Sequence, residues 1–149
     1  MTRSVGIIGG GIGGLAAAIA LHRAGWTVRV FERSAGLDRA GTALGMWPAA
    51  LRALDTLGLG AHVRATAALQ RGGEFLRPDG SRIATIDVPA TRGSDSSLVY
   101  LLSRPALLRL LAEALPKGVV AFGTEITDVA AMQQEYDVVL AADGIFSRT

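Results

Sequence analysis

Six of the ten residues from Val5 to Gly14 are glycine, and Gly9, Gly11 and Gly14 stand at G-x-G-x-x-G spacing. No other feature restricts the fold of this chain as much. The residues before the cluster, Ser4 to Ile8, are few and apolar, which reads as a short buried strand. The residues after it, from Ile12 to about Ala24, are rich in Ala and Leu, and Gly25 follows where a helix C-terminal cap is expected. Trp26 to Glu32 then alternates with Val and Phe, a second strand. Strand, tight turn, helix and strand within about thirty residues make a βαβ unit, with parallel strands and a right-handed crossover. The fold class that follows is α/β with a parallel sheet.

The same spacing carries chemistry. Gly9 permits the tight turn, and Gly11 keeps a Cβ out of the path of a pyrophosphate. Gly14, with Ala18 one turn on, lets the helix lie close to the sheet. The helix start offers N–H groups and the positive end of a dipole to phosphates. Glu32 ends the second strand 18 residues beyond Gly14, where a carboxylate can accept hydrogen bonds from ribose hydroxyls. The competing reading is a glycine-rich turn that merely packs a helix on a sheet. Both NAD and FAD use such a fingerprint. Glu32 favours a ribose diol over a 2′-phosphate, whereas Arg33 can pair with a phosphate or stack on adenine. At this point the reading stops at an adenine dinucleotide.

Composition narrows the field. The chain has 149 residues, 50% hydrophobic and 19% charged, enough for one core. With no cysteine, a disulfide scaffold, a thiolate metal site and a Cys nucleophile are excluded. His22 and His62 are the two histidines and stand in unrelated contexts, so no metal site is expected. Fourteen arginines and one lysine, Lys117, are spread along the chain with a formal net charge of +2. No basic run marks a nucleic-acid track. The uncharged stretch Val5 to Leu21 is too glycine-rich and too short for a membrane span or signal core. The expected location is therefore cytoplasmic, with no membrane or nucleic-acid partner.

Further along, Ser34 to Met46 reads as irregular, and Trp47-Pro48 opens a helix through Leu51, Leu54 and Leu57 to Gly58. Leu69 to Ile86 reads as a hairpin turning at Pro78-Asp79-Gly80. Thr91 to Ser97 reads as a polar loop and Leu98 to Leu102 as a strand. Ser103-Arg104-Pro105 opens a helix with Leu107, Leu108, Leu111 and Leu115 on its apolar face, ended by Pro116 and Gly118. Val119 to Phe122 and Tyr136 to Ala141 read as strands, the second running into Asp143-Gly144.

Four segments in this order resemble the flavoprotein aromatic hydroxylases, the FAD-dependent monooxygenases built like para-hydroxybenzoate hydroxylase. They are residues 5–15 through Phe31-Glu32-Arg33, then Gly41 to Pro48 leading into Leu57-Gly58, then Ser103 to Leu107, and last Asp137 to Arg148 with its Asp143-Gly144 motif. The resemblance implies a Rossmann-like FAD-binding βαβ domain with a parallel sheet, plus part of a β-rich substrate domain. Residues 1–68 and 103–149 would form the FAD-binding domain, and residues 69–102 the substrate-domain segment. Gly9, Gly11, Ile12, Gly13 and Gly14 would hold the FAD pyrophosphate. Glu32 would bind the adenosine ribose, with Arg33 near the adenine end. Arg104 would reach the ribityl and phosphate region, Ile126 would pass the adenine through its backbone, and Asp143 would lie near the pyrophosphate. Gly41 to Gly45 would approach the flavin ring. NADH or NADPH would be the reductant and O2 the oxidant in hydroxylating an aromatic or similar small molecule.

The departures from that family bear on activity. The later Gly-Asp motif is absent, Ala49 stands where the family has asparagine, and the connection Val129 to Tyr136 is short for the usual β-meander. The expectation is an N-terminal portion, incomplete and inactive alone, with no catalytic residue of its own. The alternatives are an NAD-binding dehydrogenase fragment, or the non-catalytic half of a split flavoprotein whose second chain supplies the C-terminal half.

Overall fold

The computed structural model describes residues 2–70, 72–87 and 98–147. In chain order the elements are β1 (Ser4–Ile8), α1 (Ile12–Arg23), β2 (Thr27–Glu32), β3 (Ala43–Met46), α2 (Pro48–Thr56) and α3 (Gly60–Thr66). There follow β4 (Ala68–Leu69), β5 (Gly72–Leu76), β6 (Arg82–Asp87), β7 (Tyr100–Ser103) and α4 (Arg104–Glu113). The chain continues with β8 (Val120–Phe122), α5 (Val129–Glu135), β9 (Val138–Ala141) and a 3-10 turn, Gly144–Phe146. No helix among the described residues is long and apolar enough to cross a membrane.

By contact the chain divides into two units, Met1–Gly41 with Arg104–Thr149, and Thr42–Ser103. The first is built on an all-parallel sheet in the order β8-β2-β1-β9. Parallel strands need crossovers, and the helices that supply them bury the sheet. Val5 and Ile7 of β1 are fully buried and Ile8 nearly so. Helix α1 buries Gly14, Leu15, Ala18 and Ile19, and α4 buries Pro105, Leu107, Leu108 and Leu111. Gly6 faces the opposite way from Val5 and Ile7. A Cβ on it would lie 2.2 Å from Met132 Cε and 3.0 Å from the Tyr136 ring. The absent side chain is what admits α5 to this face, where Tyr136 also meets Phe31 edge-on at 6.0 Å.

The βαβ unit is the one read from the sequence. Strand β1 pairs with β2 in register Ser4↔Thr27 to Ile8↔Phe31. Gly25 closes α1 at φ 85°. Its N–H donates to His22 O and the Trp26 N–H to Leu21 O, each at 3.0 Å, a Schellman closure. At the start of the sheet Asp137 accepts from the Ser4 N–H at 2.7 Å and the Ser4 hydroxyl at 2.9 Å, tying β9 to β1.

The second unit holds an antiparallel sheet in the order β3-β7-β4 and the separate hairpin β5-β6. The hairpin turn is at Pro78-Asp79-Gly80, where Gly80 N–H donates to Arg77 O at 2.9 Å and Asp79 accepts from the Ser81 N–H at 2.8 Å. Helix α2 has Pro48 at its start and buries Leu51 and Leu54, while α3 buries Val63.

Five details differ from the sequence reading. Residues 43–46, read as irregular, form β3 because β7 provides a partner, Ala43↔Ser103 to Met46↔Tyr100. Leu69 pairs with Tyr100 of β7 instead of entering the hairpin. The connection Val129 to Tyr136 contains α5, whose start is capped by Asp128 accepting from the Ala131 N–H at 2.9 Å. Helix α3 forms over Gly60–Thr66, where the sequence reading places no element. Residues 42–68, placed by sequence with the first segment, group by contact with the antiparallel strands. The polar loop read over Thr91 to Ser97 lies outside the described residues.

Candidate functional site

The order β8-β2-β1-β9 puts a switch point beside β1: the chain leaves it for β2 on one side, and β9 lies on the other. In open α/β sheets ligands bind in the crevice outside the strand C-termini at such a point. A cleft of about 430 Å³ lies there. Its walls are residues 8–11, 32–34 and 36–38, Arg104 and Leu108, residues 124–127 with Val129, and residues 142–144. All belong to the first unit.

Backbone hydrogen bonds hold the floor. The Gly9 N–H donates to Phe31 O and the Ala142 N–H to Ile8 O, each at 2.8 Å. Gly9 turns the chain at φ 107°, and a Cβ there would lie 2.4 Å from Ala142 O. A Cβ on Gly14 would lie 1.9 Å from Gly9 O, so the first turn of α1 rests directly on the glycine turn. Around Gly11 the situation is reversed: a Cβ there meets nothing within 4 Å. Gly11 is the N-cap of α1, and no side chain caps that end. The first-turn N–H groups of a helix have no intrahelical acceptor, and the dipole favours an anion there. This is the observation that tests the fit of a pyrophosphate: an uncapped helix start, a backbone bared of Cβ atoms, and room in front of it.

Glu32 ends β2 and ties the rim together. One carboxylate oxygen accepts from the Gly10 N–H at 2.7 Å, the other from the Ser34 N–H at 2.8 Å. Burial pushes its pKa up, but the N–H donors of Ser34 and Gly10, the Ser34 hydroxyl and the Arg33 charge hold it below the ordinary 4.5. The carboxylate is thus ionised at neutral pH, with lone pairs left for a further donor. Beyond β8, the Thr124 N–H donates to Glu32 O at 2.9 Å and the Gly123 N–H to Ser34 O at 2.8 Å. Those two bonds bring the loop that carries Ile126 to the cleft.

Of the residues singled out by sequence, Gly9, Gly11, Glu32, Arg33, Arg104, Ile126 and Asp143 come together in the cleft wall. Ile12, Gly13 and Gly14 do not line it: they form the first turn of α1 behind it. Asp143 holds the N-cap position of the 3-10 turn without a side-chain cap bond to it. Arg104 forms an ion pair with Asp38 in the same wall. The sequence reading missed Asp38, Ser34 and residues 124 and 125. Loop positions with no spacing rule gave no signal for them. Among the described residues no group of three or more His, Asp or Glu side chains is arranged to hold a metal.

Comparison with known proteins bears on which dinucleotide this geometry serves. A family model described as an FAD binding domain matches residues 2–143. Monooxygenase 1 of Arabidopsis thaliana is 35% identical over 83% of this chain and 30% of its own length. The FAD-dependent monooxygenase pynG of Aspergillus niger is 35% identical over 91% of this chain and 31% of its own. Among solved structures, the flavin-dependent monooxygenase PieE in complex with FAD and substrate is 27% identical at a TM-score of 0.70, covering 84% of this chain and 24% of PieE. The chain spans 30–40% of the length of the curated relatives it matches. A fingerprint that left NAD and FAD both open is thereby resolved, and the chain belongs to the FAD binding domain family.

Proposed function

We propose that this chain provides the adenosine and pyrophosphate end of the FAD site of a flavin-dependent monooxygenase that hydroxylates an aromatic or similar small molecule. The observation that carries the reading is the open, uncapped start of α1 facing a cleft at the strand C-termini. When bound, FAD would accept electrons from NADH or NADPH and activate O2, which is the cofactor's own chemistry.

The chain's residues divide the work of binding. The backbone of Gly9 to Gly11 borders the pyrophosphate, and the N–H groups of Ile12 and Gly13, in the first turn of α1 behind it, lend it the positive end of the helix dipole. Gly14 acts indirectly, by seating the helix. Glu32 accepts from the adenosine ribose hydroxyls on the lone pairs that Gly10 and Ser34 leave open. Arg33 lies at the adenine end and Ile126 borders the adenine through its backbone. Arg104 offers a planar fork to a phosphate, and Asp143 lies near the pyrophosphate. Residues 1–68 and 103–149 are assigned to FAD binding and residues 69–102 to the substrate side. No described polar or charged residue is buried, and none is assigned a role as general base or nucleophile.

Competition tests this assignment. FAD bound to the 149-residue chain, followed by flavin fluorescence, is expected to be displaced by ADP and not by riboflavin, with NAD binding more weakly. Displacement by riboflavin alone would show that the cleft does not hold the adenosine diphosphate end.

A further inference from the structure

The cleft is acidic for a site that takes a pyrophosphate. Its wall carries Glu32, Asp38, Glu125 and Asp143 against Arg33 and Arg104, a formal balance of four negative charges to two positive. Of the two arginines, Arg104 is already paired, with Asp38. The two partners differ in how firmly they are held. Arg104 is the first residue of α4, anchored by the buried Pro105, Leu107 and Leu108. Asp38 lies outside regular structure, in the loop after β2. The pair is partly exposed, with side-chain exposures of 37% for Arg104 and 53% for Asp38.

We propose that Asp38 is the resident counter-anion of Arg104, which the FAD pyrophosphate displaces on binding, so that Asp38 limits the affinity of the cleft for FAD. The inference rests on the reading of the cleft as an FAD site. Its physical basis is competition between two anions for one guanidinium. A carboxylate and a phosphate both match the fork of arginine, and the fixed cation cannot serve both fully. The displaced carboxylate remains near the dianion and repels it. A pair this exposed is weak, so exchange is cheap. The expected signature is therefore a several-fold loss of affinity, not a block.

The test is an FAD titration of the 149-residue chain carrying Asp38→Asn, Arg104→Gln or both, with circular dichroism to verify folding. Asp38→Asn is expected to bind FAD about fivefold more tightly than the wild type at low salt, with the gain shrinking at high salt as screening grows. In the Arg104→Gln background the same substitution is expected to gain clearly less. Binding unchanged or weakened by Asp38→Asn would overturn the proposal, the second result making Asp38 a positioning residue for Arg104. An equal gain with and without Arg104 would overturn it too, since that is general repulsion. A folded wild-type chain that binds no FAD would remove the underlying reading of the cleft, a different result from any of these.

Discussion

Gly11 and Gly14 stand three residues apart and answer to different constraints. Gly14 is required by the fold, because a Cβ there would lie 1.9 Å from Gly9 O, a backbone atom that cannot step aside. Gly14→Ala is expected to cost about 1–3 kcal/mol, read from urea unfolding. Gly11 is required by nothing inside the protein, since its Cβ direction is empty and its backbone, at φ −75°, suits any residue. Gly11→Val is therefore expected to cost no more than the ~1 kcal/mol of a lost N-cap preference, while weakening FAD binding about tenfold or more. A Gly11→Val chain that unfolds early would show that the space in front of it is not open.

Glu32 couples stability to pH. Its folded pKa lies below the ordinary 4.5, so the folded state binds the proton less tightly than the unfolded chain does. The stability from this carboxylate is complete above about pH 4.5 and is lost as pH falls through the lower folded value. Unfolding free energies measured between pH 6 and 3 should fall less steeply for Glu32→Gln than for the wild type. Asp55, Asp79 and Asp137 are lowered as well, but they are present in both proteins, so the difference between the curves isolates Glu32. Parallel curves would mean that the Gly10 and Ser34 hydrogen bonds contribute nothing.

At the level of elements, what was legible was whatever carried its own local signal. The β1-α1-β2 unit has alternation, a capped helix end and a spacing rule, and each is local. Helix α4 showed its leucine face, and Leu111, fully buried, makes the test of its packing: Leu111→Ala is expected to cost about 2–5 kcal/mol. A loss within ~0.5 kcal/mol would mean that α4 is not packed against α1. The missed elements depend on partners distant in sequence. Strand β3 exists because β7 pairs with it. Helix α5 has seven residues with Met132 alone buried, and the gap left by Gly6 on another element receives it. Helix α3 likewise buries little beyond Val63.

For the whole molecule, the sheet order β8-β2-β1-β9 gathers segments far apart in sequence into one cleft. The sequence named the first βαβ contributors by rule and the later ones, Arg104, Ile126 and Asp143, through family resemblance. The Arg104–Asp38 pair lay beyond both, because it joins a helix start to a loop 66 residues away. Amide NMR of the 149-residue chain, recorded with and without FAD, tests the central claim most directly. The account predicts that FAD shifts the amides of residues 9–14, 32–34, 124–127 and 142–144 together. Saturable FAD binding that leaves those four segments unperturbed would contradict it.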